Sequence, residues 1–592
     1  MFRRRRRKRR TFSHQADKKS SQGRLWLTNF VFICFFLIIT FRLFSLQVVH
    51  HSSFLNKAEA LHNTTRVLTP KRGLIYFQDK DGKSIPVAIN KQYASIYAIP
   101  KEVENPEETS QILAPLLPSS AEEIFLRLNK PNDPYEPLLD KTDDKILIQK
   151  IKDLNIKGIY IGESFYRYYP FGSLGSHVIG FISGGEDDTV QGRYGLEAYY
   201  NDVLSGKRGM FQGMRDALGR LIRSGFSQED EVVDGASLIT TIDKNIQFAS
   251  EEALEKLVVG REATKGSIIV LDPRDGKVLA LANYPTFDLN KFSQEKDYFV
   301  FQNDTIEGRY EPGSVMKPMT MATGLDLHAV TPETTYVDKG YFNVGGYKLV
   351  NYENEVFGKV NMNKVLEMSI NTGAIFVSQQ VGGSQLRQYF KSFGLDRTTG
   401  IDLPREVSGD LSNMEYPKAN PTYFATASFG VGIAITPMEL LRAFATIANK
   451  GKLVTPYVVE SLEDDNGFHS AIVPPETATV ISPETAETLT TMLVGVIENG
   501  FGGNAKVESY SLAGKTGTAY VPLPEGKGYS DDVIHTFVGF FPANAPRFVI
   551  LVKMERPRWG KDAASHTVTI AFKEVEKFII NYYNIPPDED YK

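Results

Sequence analysis

The sequence predicts a protein of the α/β class, in its α+β form, with one membrane-spanning helix followed by two exported regions. A long apolar stretch near the start predicts the helix. In the second region, strand-like segments lie at both ends and helical patterns lie between them. We therefore expect the two ends to form one sheet that encloses the helical middle.

The membrane helix is predicted at residues 25–49. Residues 25–41 carry no charge, and after Arg42 the apolar character continues to Val49. Roughly 20 residues are needed to cross the hydrocarbon layer, and the long side chain of Arg42 can carry its charge to the interface. No small-x-small pattern follows the apolar stretch, which disfavours a cleaved signal peptide.

A basic tail, residues 1–24, precedes this helix. It contains eleven of the 67 lysines and arginines but only one acid, Asp17, in a chain whose net charge is −4. Because an uncharged span follows directly, we expect a cytoplasmic tail and not a nucleic-acid-binding arm. The sequence thus predicts a single-pass protein of the cytoplasmic (inner) membrane, with its N-terminus in the cytoplasm and the rest outside.

The exported part divides into residues 50–232 and residues 233–592. Short strands, helical segments and Gly/Pro breaks predict a mixed α+β pedestal in the first. A helix is expected at residues 244–258, and another at the end, at residues 566–583. The strands expected in the second region are residues 237–243, 265–273, 276–285, 511–521, 534–542 and 547–555.

Cysteine and histidine give no indication of a metal site. The only cysteine, Cys34, lies inside the predicted span, and the nine histidines show no metal-binding spacing. Disulfides and cysteine-based zinc sites are therefore excluded from the exported part. We expect no cofactor.

Three short motifs in the second region carry groups suited to serine-based acyl transfer. In Ser314-Val315-Met316-Lys317 the lysine lies one helical turn after the serine, so it can reach Ser314 Oγ and act as the base that a serine nucleophile requires. The others are Ser369-Ile370-Asn371 and Lys515-Thr516-Gly517, followed by Thr518. Each motif alone occurs often by chance. Their order, and their places at a helix start, a loop and a strand, indicate one active site.

With these motifs the chain resembles the class B penicillin-binding proteins, which are monofunctional transpeptidases. The resemblance rests on Tyr310-Glu311-Pro312-Gly313-Ser314 with Lys317-Pro318, on residues 428–433 and on residues 514–519. Residues 72–75 and 195–197 resemble the pedestal motifs of the family. The resemblance implies a penicillin-binding, serine β-lactamase-like domain with an antiparallel sheet flanked by helices and a helical subdomain. The pedestal would be the penicillin-binding protein dimerisation domain.

The resemblance also implies a reaction and a role for each motif. Ser314 would attack the penultimate D-Ala carbonyl of a stem peptide and release the terminal D-Ala, with Lys317 as general base and Ser369 as proton relay. Backbone N–H groups of Ser314 and Thr518 would form the oxyanion hole. The substrate-binding residues that it implies are Asn371 for the amide and Lys515, Thr516, Gly517 and Thr518 around the terminal carboxylate.

The partners implied are peptidoglycan stem peptides (lipid-linked or on nascent glycan), β-lactams, a membrane-embedded glycan polymerase and other divisome or elongation proteins. Within the class, the segment at residues 539–552, a pedestal without a long insertion and a short tail favour the cell-division type over the elongation type. The departures from the family are Phe77-Gln78, where the family usually has Asp-Arg, and residues 560–566, where relatives often have a Gly-Gly and an Ala-Pro-rich run.

Two other interpretations use the same fold. A β-lactamase or D,D-carboxypeptidase would hand the acyl group to water, and a β-lactam sensor would signal inward. The anchor and pedestal favour work on a distant polymer, and a tail of 24 residues is short for a signalling domain. A fast hydrolase also needs a base for water. The nearest acids between the last two motifs, Glu406 and Glu415, lie in loops where a solvated carboxylate is expected.

Overall fold

The computed structural model describes residues 17–55, 63–130, 132–184, 190–214, 228–416, 419–464, 466–475, 478–523, 528–558 and 563–588. The chain divides into two compact units. One comprises residues 1–70 with 207–233, and the other comprises residues 71–206 with 234–592. The boundaries expected at residues 49/50 and 232/233 stay predictions.

The described helices and strands follow in chain order. The helices are α1 (Asp17–Phe44), α2 (Pro106–Leu113), α3 (Ala121–Leu128), α4 (Lys145–Leu154), α5 (Ser176–Ile179), α6 (Gly195–Tyr199), α7 (Asn201–Ser205), α8 (Lys244–Gly260), α9 (Asp304–Glu307), α10 (Lys317–Asp326), α11 (Met362–Glu367), α12 (Asn371–Val381), α13 (Gly383–Ser392), α14 (Pro421–Ala427), α15 (Pro437–Ala448), α16 (Pro483–Asn499) and α17 (Val568–Tyr583). The strands are β1 (Asn63–Leu68), β2 (Ile75–Gln78), β3 (Ile85–Ala98), β4 (Glu136–Thr142), β5 (Ile159–Tyr168), β6 (Ile182–Gly184), β7 (Val190–Gly192), β8 (Gly209–Met214), β9 (Gln228–Asp230), β10 (Ser237–Asp243), β11 (Lys265–Leu271), β12 (Val278–Tyr284), β13 (Thr335–Asp338), β14 (Tyr341–Val344), β15 (Tyr347–Val350), β16 (Gly358–Asn361), β17 (Val459–Glu463), β18 (His469–Ala471), β19 (Ala513–Pro522), β20 (Tyr529–Phe541) and β21 (Phe548–Glu555).

The first unit contains the apolar helix and a small sheet. Within the described residues, one helical stretch, Gly23–Val49, is long and apolar enough to cross a membrane. It consists of most of α1 and a π-helical turn at Ser45–Val49, and it contains the apolar run at residues 25–49 seen in the sequence. Strands β1, β8 and β9 form a three-stranded antiparallel sheet in the order β1-β8-β9.

A five-stranded antiparallel sheet lies at the centre of the second unit, in the order β12-β11-β21-β20-β19. Two strands come from residues 265–284 and three from residues 513–555. The expectation that the two ends of this region build one sheet is therefore confirmed. Strand β19, which carries the third motif, lies at one edge of this sheet.

Both faces of the five-stranded sheet are buried, which explains the nearly continuous apolar sequence of β21. Phe548, Ile550 and Val552 belong to a core that also contains apolar residues of α8 and α17. The alternating Val549 and Leu551 belong to the core that contains the apolar residues of α15, a helix that is buried along its whole length. Successive side chains of a strand point to opposite faces, so one strand serves both cores.

A second sheet of seven strands contains β10, the strand predicted at residues 237–243. Its order is β18-β17-β10-β2-β3-β4, and β5 also pairs with β3. Strand β10 lies parallel to β2, with Leu238 opposite Ile75, and antiparallel to β17. The sheet thus joins strands on both sides of residue 233.

The two pedestal motifs meet in a buried ionic cluster. Glu197 is fully buried and accepts hydrogen bonds from Arg72 Nε at 2.7 Å and from Arg167 Nε at 2.6 Å. Close pairing of this kind is required when charges leave water. Phe77, one of the departures from the family, is buried in the apolar core, and the Gln78 amide donates to Thr240 O and Glu460 Oε2, each at 2.6 Å.

Candidate active site

Ser314 lies in a 3₁₀ turn, Gly313–Met316, that leads directly into α10. Gly313 has a φ of 61°, and a Cβ there would lie 2.9 Å from Thr518 O, so both conformation and space favour glycine. Ser314 is half-buried, whereas Lys317, the first residue of α10, is only 1% exposed. Lys317 follows Ser314 by three residues across this turn, and the hydrogen bonds of its Nζ go to Ser369. Its role as the base for Ser314 stays a prediction.

Ser369 Oγ is the point at which the three motifs meet. Lys317 Nζ donates to it at 3.1 Å and also donates to the Ser369 carbonyl. Lys515 Nζ donates to the same hydroxyl oxygen at 3.0 Å. A hydroxyl oxygen has two lone pairs, and here each faces a lysine amine. The Ser369 hydroxyl hydrogen is therefore left to donate elsewhere.

Burial shifts the acid–base properties of both lysines. It lowers the pKa of Lys317 well below its usual value, and the charge of nearby Lys515 lowers that pKa further. Burial alone lowers the pKa of Lys515 to about 7. Both amines bond to neutral oxygen atoms, so no counter-charge offsets the cost of removing the cations from water. Each amine therefore loses its proton more readily than an exposed lysine does, and the charge of Lys515 adds to this effect at Lys317.

Strand β19 brings the third motif against the turn that carries Ser314, Gly313–Met316. A Cβ on Gly517 would lie 2.9 Å from Pro312 O and 3.1 Å from Val315 N, so this close approach requires glycine. Lys515 is fully buried, Thr516 is 7% exposed and Thr518 is half-exposed. Strand β19 is the last strand of its sheet and pairs with β20 on one side.

Asn371 is the first residue of α12, and its carboxamide Nδ2 donates to Val350 O at 3.1 Å. Ser369, two residues earlier, has a φ of 51°, an uncommon conformation for a residue other than glycine. This backbone geometry allows the serine hydroxyl to meet both lysines while the helix begins two residues later.

The loop at residues 428–433 is hydrogen-bonded to the turn that carries Ser314 and to helix α10, which follows it. Gly430 O accepts a hydrogen bond from Gly313 N at 3.0 Å, and Ser428 O accepts one from Thr320 Oγ1 at 2.8 Å. Glu311 accepts from Gly432 N and from the Tyr529 hydroxyl, each at 3.0 Å. The two segments that resemble the family, around Ser314 and at residues 428–433, are thus connected by hydrogen bonds.

The two acids considered as water-activating bases bond within their own surroundings. Glu406 accepts from Thr399 N at 2.7 Å and from Gly400 N at 3.0 Å. Glu415 forms an ion pair with Lys391. Both carboxylates are therefore engaged by local partners and are not simply solvated as the sequence suggested.

The second departure from the family falls partly outside the described residues, at positions 559–562. C-terminal to these positions the chain forms a 3₁₀ turn, Ala564–His566, in which Ser565 O accepts from Asn504 Nδ2 at 2.7 Å.

In the described parts of the chain, no three His, Cys, Asp or Glu side chains converge as a metal site would require.

Three further residues beside the motifs carry no recognisable sequence signal. They are Asp338, Asn351 and Thr372, and they are buried next to Asn371. Asp338 and Asn351 lie more than twenty residues from Thr372 among ordinary turn residues, so only the folded chain brings them together.

Family comparisons agree with this geometry. Residues 266–576 match the penicillin binding protein transpeptidase domain, and residues 67–240 match the penicillin-binding protein dimerisation domain. Stage V sporulation protein D of Bacillus subtilis is 31% identical over 528 residues, covering 88% of this chain and 80% of that protein. Peptidoglycan D,D-transpeptidase FtsI of Escherichia coli is 28% identical over 565 residues, covering 94% and 91%.

Solved structures share the fold. Penicillin binding protein 2X from Streptococcus thermophilus aligns with a TM-score of 0.74 at 23% identity, over 87% of this chain and 80% of that one. Penicillin binding protein 3 from Mycobacterium tuberculosis, complexed with aztreonam, aligns with a TM-score of 0.68 at 23% identity, over 89% and 99%. The chain belongs to the class B penicillin-binding proteins. It is a peptidoglycan D,D-transpeptidase.

Proposed function

We propose that this transpeptidase acts through an acyl-enzyme on Ser314, with Lys317 as the general base. Neutral Lys317 takes the Ser314 hydroxyl proton while Oγ attacks the carbonyl of the penultimate D-Ala. The low pKa of Lys317 supports this role, because the buried amine is neutral at a pH where an exposed lysine is charged. Its place one turn after Ser314 supports it further.

Ser369 relays a proton to the leaving group. When the tetrahedral intermediate collapses, the bond between the carbonyl carbon and the terminal D-Ala nitrogen breaks, and that nitrogen must gain a proton. Ser369 Oγ accepts from Lys317 and Lys515, so its own hydrogen is free to be donated to the amine, and Lys317 replaces it with the proton from Ser314. This two-lysine contact on one hydroxyl is the observation that carries the proposal.

Asn371 and the third motif hold the donor peptide. Charged Lys515, with the Thr516 and Thr518 hydroxyls beside Gly517, binds the terminal carboxylate, which a cation and two donors suit. Asn371 binds an amide of the stem. The backbone N–H groups of Ser314 and Thr518 hold the oxyanion, each contributing roughly 3 kcal/mol in comparable sites. A Cβ on Gly313 would lie 2.9 Å from Thr518 O, which supports the closeness of those two segments.

An amine of a second stem peptide then takes the acyl group and forms the cross-link. Water competes poorly because the two candidate bases, Glu406 and Glu415, are held by other partners. β-Lactams, one of which is bound in the mycobacterial relative, acylate the same serine. The lifetime of a penicilloyl adduct tests this step: persistence for many minutes supports amine transfer, whereas turnover within seconds favours a β-lactamase.

The basic tail lies in the cytoplasm and the catalytic region lies outside the membrane, where peptidoglycan is cross-linked. The charge asymmetry around Gly23–Val49 supports this orientation. A reporter fused before residue 1 should behave as cytoplasmic and one fused after residue 592 as exported. The reverse pattern would contradict the proposal.

We assign the enzyme to the division septum, together with a glycan polymerase and other division proteins. The pedestal without a long insertion and the segment at residues 539–552 support this choice over cell elongation. Depletion of the protein should give filaments. Spherical cells would place it in elongation instead.

Acyl transfer itself is tested with a donor peptide ending in D-Ala-D-Ala and a labelled D-amino acid acceptor. The full-length protein should release D-Ala and attach the label. Ser314→Ala should do neither, whereas Ser384→Ala, which removes an exposed hydroxyl on α13, should behave as wild type. Equal activity in Ser314→Ala would refute the mechanism.

A further inference from the structure

Three buried polar side chains form a cluster behind the second motif. Asp338 is 2% exposed, Asn351 is 3% exposed and Thr372 is 1% exposed. Asp338 ends β13, Asn351 follows β15, and Thr372 is the second residue of α12. We call these three residues the Asp338 cluster. None of them belongs to the three motifs.

The Asp338 carboxylate is the acceptor at the centre of this cluster. Its Oδ1 accepts from Thr372 Oγ1 at 2.7 Å and from Gly340 N at 3.0 Å. Its Oδ2 accepts from Phe357 N at 2.8 Å and from Asn351 Nδ2 at 3.1 Å. Only an ionised carboxylate offers acceptors and no donor at both oxygens, so the site fits aspartate and would misfit asparagine.

Asn351 connects the carboxylate to the start of α12. Its Oδ1 accepts from Thr372 N at 3.0 Å, which satisfies one of the backbone donors that a helix leaves unpaired in its first turn. The neighbouring carbonyl, Val350 O, accepts from Asn371 Nδ2 at 3.1 Å. Adjacent residues of one segment thus hold both the helix and the side chain of Asn371.

The contact with Val350 O decides how the Asn371 carboxamide is oriented. An amide nitrogen has two hydrogens, and one of them is directed to Val350 O. The second N–H and Oδ1 then have fixed directions and stay available to a ligand. If the Val350–Asn351 segment moved, the carboxamide could rotate and exchange donor for acceptor.

We infer that Asp338, Asn351 and Thr372 are positioning residues that orient Asn371 toward the amide of the donor peptide. This inference rests on the proposed role of Asn371 in substrate binding. The cluster does not touch substrate, so its effect is specific to ligands that use Asn371. A purely structural cluster would instead affect all ligands equally.

The test compares two β-lactams on the full-length protein in detergent. Benzylpenicillin carries an acylamino side chain that Asn371 can bind, whereas 6-aminopenicillanic acid has the same bicyclic nucleus without that amide. The second-order rate constant for acylation is measured for each by competition with a fluorescent penicillin. The ratio of the two constants reports the use of the amide and cancels the loss of correctly folded protein.

Thr372→Val removes the hydroxyl but keeps the shape, so it should lower the benzylpenicillin constant about tenfold and leave the 6-aminopenicillanic acid constant within about twofold. Thr372→Ser keeps the hydroxyl and should restore the ratio. Thr446→Val is the matched control, because Thr446 is fully buried and its hydroxyl donates only to Arg442 O on its own helix. It should leave the ratio unchanged.

Asn371→Ala should show the same selective loss, and adding Thr372→Val to it should lower the ratio no further. If Thr372→Val does not fold, Thr372→Ala removes the same hydroxyl and gives the same comparison. An equal loss for both β-lactams, or a further loss in the double variant, overturns the inference. Absence of wild-type labelling at Ser314 would instead overturn the proposed function.

Discussion

At the scale of single residues, the site depends on two buried lysines that share one serine hydroxyl. Lys317 and Lys515 both donate to Ser369 Oγ, and both have pKa values lowered by burial. The charge on Lys515 lowers the pKa of Lys317 further. The proposed mechanism uses Lys317 as the proton acceptor and Lys515 as the cation that binds the carboxylate.

The pH dependence of acylation follows from these two pKa values. The rate should rise as pH increases through the lowered pKa of Lys317, because the base must be neutral. It should fall as pH passes about 7, where free Lys515 loses the charge that binds the carboxylate. Measuring the acylation rate constant from about pH 5 to about pH 9 reports these values for the free enzyme. A rate that does not change over this range would contradict the assigned roles.

At the scale of elements, the turn that carries Ser314 is held by the loop at residues 428–433. The two backbones approach so closely that no side chain fits at Gly430. Gly430 has a φ of 82°, and a Cβ there would lie 2.1 Å from Gly313 O. Gly467, between β17 and β18, has a φ of 75° but faces open space among the described residues. The two glycines share a conformation and differ in their surroundings.

Gly430→Ala should therefore lower acylation by at least about tenfold, because displacing the turn by the added methyl group costs more than about 1.4 kcal/mol. Gly467→Ala should bear only the cost of the left-handed conformation, about 1–2 kcal/mol in stability, and should acylate normally. Penicillin labelling rates of both variants give the comparison. Equal labelling rates for the two variants would mean that the loop at residues 428–433 does not set the position of Ser314.

The last helix, α17, contains a buried acid at an apolar position. Glu576 is fully buried, and neither of its carboxylate oxygens has a hydrogen-bond partner among the described residues. Burial raises the pKa of Glu576 well above its usual value, and the charges of Lys573 and Lys577 offset only part of this shift. Burial thus favours the protonated form of this group in the folded state.

Replacing this acid should stabilise the protein in a pH-dependent way. Below the pKa of the unfolded chain, about 4.3, both states are protonated and the penalty vanishes; above it, the penalty grows with pH. Glu576→Gln should raise stability near pH 7 by about 1–3 kcal/mol and have no effect near about pH 4. Melting temperatures across pH measure this, with the exposed Glu574→Gln as control. A gain independent of pH would exclude protonation as the cause.

At the scale of the whole molecule, the sequence predicted features that depend on neighbouring residues better than it predicted pairings between distant residues. The strands of the five-stranded sheet, the apolar helix and the three motifs were visible because each depends on neighbouring residues. The position of β10 beside β2 was not visible, since it joins residues some 160 apart and is decided by tertiary packing. The Asp338 cluster was hidden for the same reason, because Asp338 and Thr372 meet only after folding.

The pedestal illustrates the same limit. The sequence marked residues 72–75 and 195–197 as family motifs but gave them no physical role. The structure shows that Arg72 and Arg167 neutralise the fully buried Glu197. Phe77, which departs from the family pattern, is fully buried among apolar residues of the core.

Every later step of the proposed reaction depends on the acyl group being carried by Ser314. The most direct measurement treats the full-length protein with penicillin, digests it and locates the added mass by tandem mass spectrometry. The adduct should lie on Ser314, and Ser314→Ala should carry none although its melting temperature stays near that of the wild type. An adduct on another residue, or undiminished labelling of Ser314→Ala, would contradict the account.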